Sequence, residues 1–170
     1  MNPCVFLDRD GVLNVERGTY TWRIEEFEVI DGVKESLGKL KKYGFLIIVV
    51  TNQAGVTRGL YTKSDMRKCN DYLIEQTSFR IDDIYYATSH PEYSESLLRK
   101  PDSLMFEKAI AEYQNDPARS WMVGNSDRDL FPAVKLGIRT IFVGEDTDIP
   151  GNLYFAASLL EATEIIIENQ

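Results

Sequence analysis

Five short apolar runs, spread along a chain of 170 residues, constrain the fold more than any other feature. Each run is nearly continuous in apolar residues, as are the strands of a parallel sheet that is buried on both faces. The sequence therefore predicts five buried strands. They cover residues 4–7, 45–50, 84–87, 121–123 and 140–143.

Helical periods of apolar residues fill the intervals between these runs. Asp31 is predicted to cap a helix that ends at Gly44, and Thr62 to cap a second helix. Asp65, three residues after Thr62, forms a capping-box pattern with it. Further helices are predicted over residues 103–113, 130–136 and 159–168.

The alternation of strands and helices predicts the fold class. We expect one α/β domain over residues 1–170, with a doubly wound, Rossmann-like, mostly parallel sheet flanked by helices and right-handed crossovers. The intervals between the polar motifs leave no room for a large cap domain. Ligands of such sheets bind outside the carboxyl ends of the strands.

Charge and cysteine content narrow the setting. Lys and Arg number 19 against 27 Asp and Glu, a formal net charge of −8, which argues against a nucleic-acid or membrane-surface partner. Cys4 and Cys69 form no C-x-x-C pair, so a reduced, cytoplasmic setting is expected. The first apolar run ends at Asp8, too early for a signal peptide or a membrane span.

Four polar clusters follow four of the predicted strands. Each cluster alone is typical of a turn, a strand end, a solvated helix start or a helix cap. Together they are predicted to meet at one edge of the sheet. The clusters are DRDGVLN at residues 8–14, TNQAGVTRG at 51–59, RKP at 99–101 and GNSDRD at 124–129.

This set of side chains suits phosphoryl transfer. Asp8 is ionised at neutral pH and can attack a phosphate, and Asp10 can exchange protons with the leaving oxygen and with water. Lys100 and a hard divalent cation such as Mg²⁺ offset the repulsion between two anions. Arg17, Arg58 and Arg99 are placed to meet a second anionic group of a substrate, although each also suits a solvated surface.

The four motifs, in this order and spacing, resemble those of the haloacid dehalogenase superfamily of phosphatases. Within it they are similar to the branch of the heptose-bisphosphate and histidinol-phosphate phosphatases. The resemblance runs from about Val5 to Val143 and includes FEVIDGV at residues 27–33. It implies a phosphoric monoester hydrolase that works through a phospho-aspartate and requires Mg²⁺.

The resemblance also implies residue roles. Asp8 matches the nucleophile, Asp10 the general acid and base, and Thr51 and Lys100 the residues that hold the transferring phosphoryl group. Metal ligands are expected from Asp8, the backbone carbonyl of Asp10, and the acidic loop with Asn125 and Asp129. The expected substrate-binding residues are Glu16, Arg17, Gly18, Thr19, Asn52, Gln53, Arg58 and Arg99.

The chain departs from this pattern in two places. The heptose enzymes carry a zinc loop of cysteines and a histidine before RKP, but here Ala87 and Ser89 stand at the first two ligand positions. The lone His90 cannot assemble a tetrahedral site, so no zinc is predicted and His90 is expected to make loop hydrogen bonds.

The second departure is Asn125, where the family usually has aspartate. We expect Mg²⁺ to be retained at weaker affinity through Asn125, with support from Asp129; Asp127 is an additional acid.

Several functions stay open at this level. A small phosphorylated metabolite, above all a sugar phosphate or bisphosphate, is the favoured partner, and histidinol phosphate is the next. A nucleic-acid 3′-phosphatase shares the TNQ-x-G loop, but the acidic charge and the missing basic stripe argue against it. A non-catalytic phosphate sensor with a decayed metal site is the alternative from another class. The oligomeric state is not encoded in these motifs.

Overall fold

In the described residues, six parallel strands form one sheet in the order β3-β2-β1-β4-β5-β6. The computed structural model describes residues 1–144 and 154–170. β1 lies at the centre, between β2 and β4, and its residue Leu7 is in register with Val49 and Val123. The strands are β1 Cys4–Leu7, β2 Leu46–Asn52, β3 Asp83–Ala87, β4 Trp121–Gly124, β5 Arg139–Val143 and β6 Tyr154–Ala156.

Five α-helices within residues 1–144 and 154–170 cover the two faces of the sheet. Successive residues of β1 point to opposite faces, so that Val5 packs with the cluster under α1, α2 and α5 while Phe6 packs with α3 and α4. This double burial explains why the strands read as continuous apolar runs. The helices are α1 Val33–Lys42, α2 Lys63–Gln76, α3 Leu104–Tyr113, α4 Asp127–Lys135 and α5 Leu159–Glu168.

The predicted α/β class, the five predicted strands and the absence of a large cap are confirmed in the described residues. The capping box of α2 is also confirmed, because Thr62 Oγ1 accepts from the Asp65 N–H at 3.1 Å and Asp65 Oδ2 accepts from the Thr62 N–H at 3.0 Å. No helix in the described parts of the chain is long and apolar enough to cross a bilayer.

Two expectations were wrong in detail, and one strand was not predicted. Asp31 does not cap α1, because Gly32, at φ 83°, occupies the N-cap position and makes no side-chain bond. α4 begins at Asp127 rather than at residue 130, since Ser126 is extended and the helix starts directly after it. β6 was not predicted, because three residues give too short a pattern to separate from a loop.

Candidate active site

The candidate site lies at the carboxyl edge of the central strands. Asp8 follows β1 directly, and its N–H donates to the carbonyl of Val123 on β4 at 3.0 Å. Thr51 and Asn52 end β2, on the other side of β1. The polar clusters therefore meet because the strands that precede them are neighbours in a parallel sheet.

Lys100 is the centre of the site. Its ammonium Nζ lies 2.7 Å from Asp8 Oδ1, 2.7 Å from Asp129 Oδ1 and 2.7 Å from the carbonyl of Val50. The residue is only 1% exposed. Burial alone would lower the pKa of Lys100, but the two carboxylates outweigh it and raise the pKa, so the side chain is a fixed cation.

Asp8 is a buried carboxylate beside another carboxylate. Desolvation and the charge of Asp129 raise the pKa of Asp8 from 3.8 to about 7, even though Lys100 acts in the opposite direction. Lys100 does not compensate fully because it shares its charge between two acids. A further cation at this point would favour the ionised form of Asp8.

The surroundings of Asp129 show whether the site fits a metal ion. It is 1% exposed, and among the described residues its Oδ2 has no hydrogen-bond partner. It also packs so closely on Gly124 that a Cβ there would lie 2.5 Å from the Asp129 Cβ. An orphaned, buried carboxylate oxygen next to Asp8 fits a cation, because burial of an uncompensated charge is costly.

Asp10 lies in a network of fixed donors, with its carboxylate 27% exposed. It accepts from Asn14 Nδ2 at 3.0 Å, from Gln53 Nε2 at 2.9 Å and from Arg9 Nη2 at 3.1 Å. Arg9 is fully buried and also donates to Asn70 Oδ1 at 3.0 Å. These bonds fix the orientation of the Asp10 carboxylate.

Gln53 connects the two strand ends. Its Nε2 donates both to Asp10 Oδ2 at 2.9 Å and to Thr51 Oγ1 at 3.0 Å, while its Oε1 accepts from the Tyr61 hydroxyl at 2.8 Å. Gln53 is 2% exposed. It therefore lies behind Asp10 and Thr51 rather than on the open side of the site.

Asn52 holds the loop that carries the lysine. Its Nδ2 donates to the carbonyl of Lys100 and its Oδ1 accepts from the N–H of Lys100, both at 3.0 Å. A carboxamide is the side chain that satisfies a backbone donor and acceptor at once. The pair of bonds joins β2 to the RKP segment and places Nζ under Asp8.

Asn125 follows β4 and lies over the loop after Asp10. Its Nδ2 donates to Glu16 Oε2 at 3.1 Å. Gly11, at φ 87°, lies beneath both side chains, and a Cβ there would be 2.0 Å from Asn125 Nδ2. No three Asp, Glu, His or Cys side chains of residues 1–144 and 154–170 group as a metal site. The candidates that remain for a cation are the Asp8 and Asp129 carboxylates, the Asn125 carboxamide and the Asp10 carbonyl.

Curated relatives match this chain over most of its length. The D-glycero-beta-D-manno-heptose-1,7-bisphosphate 7-phosphatase of Haemophilus ducreyi is 38% identical over 145 residues, 80% of this chain and 79% of that protein. The protein of the same name from Escherichia coli K12 is 37% identical over 147 residues, 81% of this chain and 76% of that protein. The chain belongs to the haloacid dehalogenase (HAD) superfamily of phosphatases.

Two further comparisons agree with this assignment. A family model described as HAD-hydrolase-like matches residues 97–159 of this HAD phosphatase. The crystal structure of D,D-heptose 1,7-bisphosphate phosphatase from B. bronchiseptica, complexed with magnesium and phosphate, has a TM-score of 0.90 and 22% identity and covers 99% of both chains. At that identity the likeness shows the fold.

An open cleft of about 330 Å³ lies on the solvent side of Asp10 in the HAD phosphatase. It brings together five of the predicted substrate-binding residues, Glu16, Gly18, Thr19, Asn52 and Arg58. Arg17 is exposed and is not among the lining residues. The full lining is Asp10, Glu16, Gly18, Thr19, Tyr20, Asn52, Arg58 and Arg128.

Three residues of the site were not predicted from the sequence. Arg128 lines the cleft, and its only signal was a lone positive charge within NSDRD. Tyr20, directly after the predicted segment 16–19, contacts Arg58 through its hydroxyl at 3.5 Å. Arg9 stands between the two aspartates of DRD, where its charge was visible but its burial was not.

Arg99 lies at the edge of a second cleft of about 530 Å³, formed by the loop before and after it. Its Nη1 donates to the carbonyl of Ser89 at 3.1 Å. Desolvation and the charge of Arg128 lower the pKa of Arg99, so the two guanidinium groups are close enough to repel each other. His90 makes the predicted loop bond, accepting from the Glu92 N–H at 3.3 Å, while the absence of zinc stays a prediction.

Proposed function

We propose that the protein is a magnesium-dependent phosphatase that removes one phosphate from a sugar bisphosphate, with D-glycero-D-manno-heptose 1,7-bisphosphate and its 7-phosphate as the favoured case. The observation that carries this proposal is the buried Asp8–Lys100–Asp129 arrangement at the end of β1, with both distances at 2.7 Å. The named activity of the curated relatives supports the choice of sugar.

Asp8 is the nucleophile. Lys100 holds Oδ1 at 2.7 Å, which leaves Oδ2 to attack the phosphorus. A bond forms between Oδ2 and phosphorus as the ester bond to the sugar oxygen breaks. Two unit anions 4 Å apart repel by about 4 kcal/mol at an effective dielectric of 20. The charge of Lys100 offsets this repulsion, and the hydroxyl of Thr51 donates to a phosphoryl oxygen.

Asp10 moves the protons. In its acid form it protonates the departing sugar oxygen, and as a carboxylate it then accepts a proton from the water that hydrolyses the phospho-aspartate. Gln53 and Arg9 hold the two oxygens of Asp10 at 2.9 and 3.1 Å, so the group stays aimed at one point through both steps. Asp8 and inorganic phosphate are the products of the second step.

Mg²⁺ would be held by Asp8, Asp129, Asn125 and the Asp10 carbonyl. When bound it neutralises negative charge on the phosphoryl oxygens and on the attacking carboxylate. The buried Asp129 Oδ2, which has no hydrogen-bond partner in the described residues, supports this ligand set.

The arginines bind the second phosphate of the substrate. Arg58 and Arg128 line the cleft beside Asp10, and neither forms an ion pair with an acid of the described residues. Arg99 lies close enough to Arg128 for the two charges to interact. Three guanidinium groups without an ion pair among residues 1–144 and 154–170 suit a phosphate dianion.

Phosphate release from a panel of substrates tests the proposal. The panel holds the two anomers of heptose 1,7-bisphosphate, histidinol phosphate and a 3′-phosphorylated oligonucleotide, each with Mg²⁺ and with EDTA. We expect turnover of a heptose bisphosphate only with Mg²⁺, and a loss of about 10⁴-fold or more in Asp8→Asn.

Three other results would contradict parts of the proposal. Activity that survives Asp8→Asn contradicts the covalent mechanism. Histidinol phosphate as the preferred substrate contradicts the sugar assignment, and no turnover of any ester contradicts the enzyme itself.

A further inference from the structure

The hydrogen bond between Asn125 and Glu16 joins the loop after β1 to the loop after β4. Asn125 Nδ2 donates to Glu16 Oε2 at 3.1 Å. Both side chains pack over the same bare backbone, since a Cβ on Gly11 would lie 2.0 Å from Asn125 Nδ2 and 3.1 Å from Glu16 Oε2. Only glycine leaves room for this pair next to Asp10.

The bond determines which end of the carboxamide is free. Only the amide nitrogen can donate to a carboxylate, so the Glu16 contact fixes the choice between Nδ2 and Oδ1. The two atoms lie on opposite sides of Cγ, and Oδ1 is therefore turned away from Glu16. The donor end is satisfied, and the acceptor end is left for another partner.

The bond also brings the negative charge of Glu16 into contact with the neutral side chain of Asn125. Asn125 is the one neutral side chain among the candidate metal ligands, so it brings no charge to the metal. The charges next to it are the carboxylates of Asp8 and Asp129, with Lys100 between them and the Asp10 carboxylate near Asp8. Glu16 adds a negative charge, because its carboxylate contacts the neutral amide of Asn125.

We propose that Glu16 is a positioning residue of the metal site, which holds Asn125 with Oδ1 toward Mg²⁺ and supplies the charge that Asn125 lacks. The inference rests on the proposed magnesium dependence. Glu16 acts through Asn125 rather than on the reacting atoms. Its place in the cleft lining gives it a second possible role in substrate binding, so the test must omit the substrate.

Mg²⁺ binding to the substrate-free protein is the measurement, by titration calorimetry and by competition with Mn²⁺ followed by electron paramagnetic resonance. Four proteins form a cycle: wild type, Glu16→Gln, Asn125→Asp and the double variant. Glu28→Gln is the matched control, because it also removes an exposed carboxylate. The backbone carbonyl of Glu28 accepts from the N–H of Val15, the residue before Glu16.

We expect Glu16→Gln to weaken Mg²⁺ binding roughly tenfold, as losses of supporting groups around metal ligands do, and Glu28→Gln to leave it unchanged. In the Asn125→Asp background Glu16→Gln is not expected to weaken Mg²⁺ binding. Glu16 then faces a carboxylate instead of an amide donor, so its neutralisation leaves Mg²⁺ affinity unchanged or tightens it.

Two results overturn the inference. If Glu16→Gln binds Mg²⁺ as tightly as wild type, or loses the same factor in both backgrounds, Glu16 does not act through Asn125. Either result leaves the proposed phosphatase intact if wild type binds Mg²⁺ and turns over substrate. If wild type binds no Mg²⁺, the magnesium dependence and this inference both fail.

Discussion

At the scale of single residues, the site is arranged around groups that each serve two partners. Lys100 pairs with Asp8 and Asp129, and Gln53 donates to both Asp10 and Thr51. Such sharing lets a few donors fix several reactive groups in one geometry. It also means that loss of one shared donor leaves more than one buried polar atom unsatisfied.

Gln53→Leu tests the shared donor. We expect kcat to fall roughly 10- to 100-fold, because a hydrogen bond to a charged group is worth about 1.5–3 kcal/mol and Asp10 loses one. KM should change little, since Gln53 is buried and does not line the cleft. Steady-state kinetics on the preferred substrate gives both constants.

Tyr61→Phe is the matched control for Gln53→Leu. It removes the 2.8 Å bond to Gln53 Oε1 but leaves the bonds of Gln53 to Asp10 and Thr51 in place, so its loss of kcat should be smaller. Equal losses in both variants, or a rise confined to KM, would show that Gln53 does not position Asp10.

The raised pKa of Asp8 predicts a pH-dependent stability of the metal-free protein. Burial and Asp129 raise that pKa from 3.8 to about 7. Between these values the folded protein keeps a proton that the unfolded chain has released, so the unfolded state binds fewer protons. The free energy of unfolding must therefore fall as the pH rises through this window.

Thermal unfolding of wild type and Asp8→Asn in EDTA measures this effect. The Tm of wild type minus that of Asp8→Asn is expected to decrease between about pH 5 and pH 7 and to level off above that range. Mg²⁺ should reduce the decrease, because a cation favours the carboxylate. Parallel pH curves for the two proteins would contradict the raised pKa.

At the scale of elements, two helix starts differ in how they are determined. α2 begins at Thr62 through a local capping box, whereas α4 begins after Ser126 without a side-chain cap bond. The first start is encoded by residues three positions apart. The second depends on the packing of Asp129 against Gly124 and on the ion pair with Lys100.

Thr62→Ala is expected to lower the free energy of unfolding by about 1 kcal/mol, because the Asp65 N–H loses its acceptor. Chemical denaturation measures the change, and Thr62→Ser, which keeps the hydroxyl, should recover most of it. The kcat should stay at the wild-type value, because the capping box lies outside the catalytic network. A loss of activity without a loss of stability would contradict this separation.

At the scale of the whole molecule, the sheet order places β1 between β2 and β4, so three of the four polar clusters follow neighbouring strands. The fourth, RKP, is joined to the end of β2 by Asn52. The buried carboxylates of this site are held together at an electrostatic cost, with one lysine between them. A bound cation should therefore stabilise the entire fold.

Mg²⁺ at about 100 times its Kd is expected to stabilise wild type by about 2.7 kcal/mol, which corresponds to a rise in Tm of roughly 5–10 °C. Asp129→Asn should lose most of this rise, because it removes one of the two buried carboxylates. Scanning calorimetry with and without the metal measures both. An equal rise in the two proteins would place the metal elsewhere.

The fold class, and the polar side chains that meet at one edge of the sheet, could be predicted from the sequence alone. Continuous apolar runs that alternate with helical periods are typical of a parallel sheet buried on both faces, and the carboxyl ends of its strands share one edge. Asp8, Asp10, Thr51 and Lys100 could therefore be predicted as neighbours from their positions after strands.

Which side chains pair at that edge depends on the tertiary structure and could not be predicted. Lys100 and Asp8 are 92 residues apart in the chain, and Asn125 and Glu16 are 109 apart. Such partners depend on the register of the strands and on the packing of the loops, which leave no periodic signal in the sequence. The burial of Arg9, the position of Arg128 in the cleft and the Asn125–Glu16 bond all belong to this part.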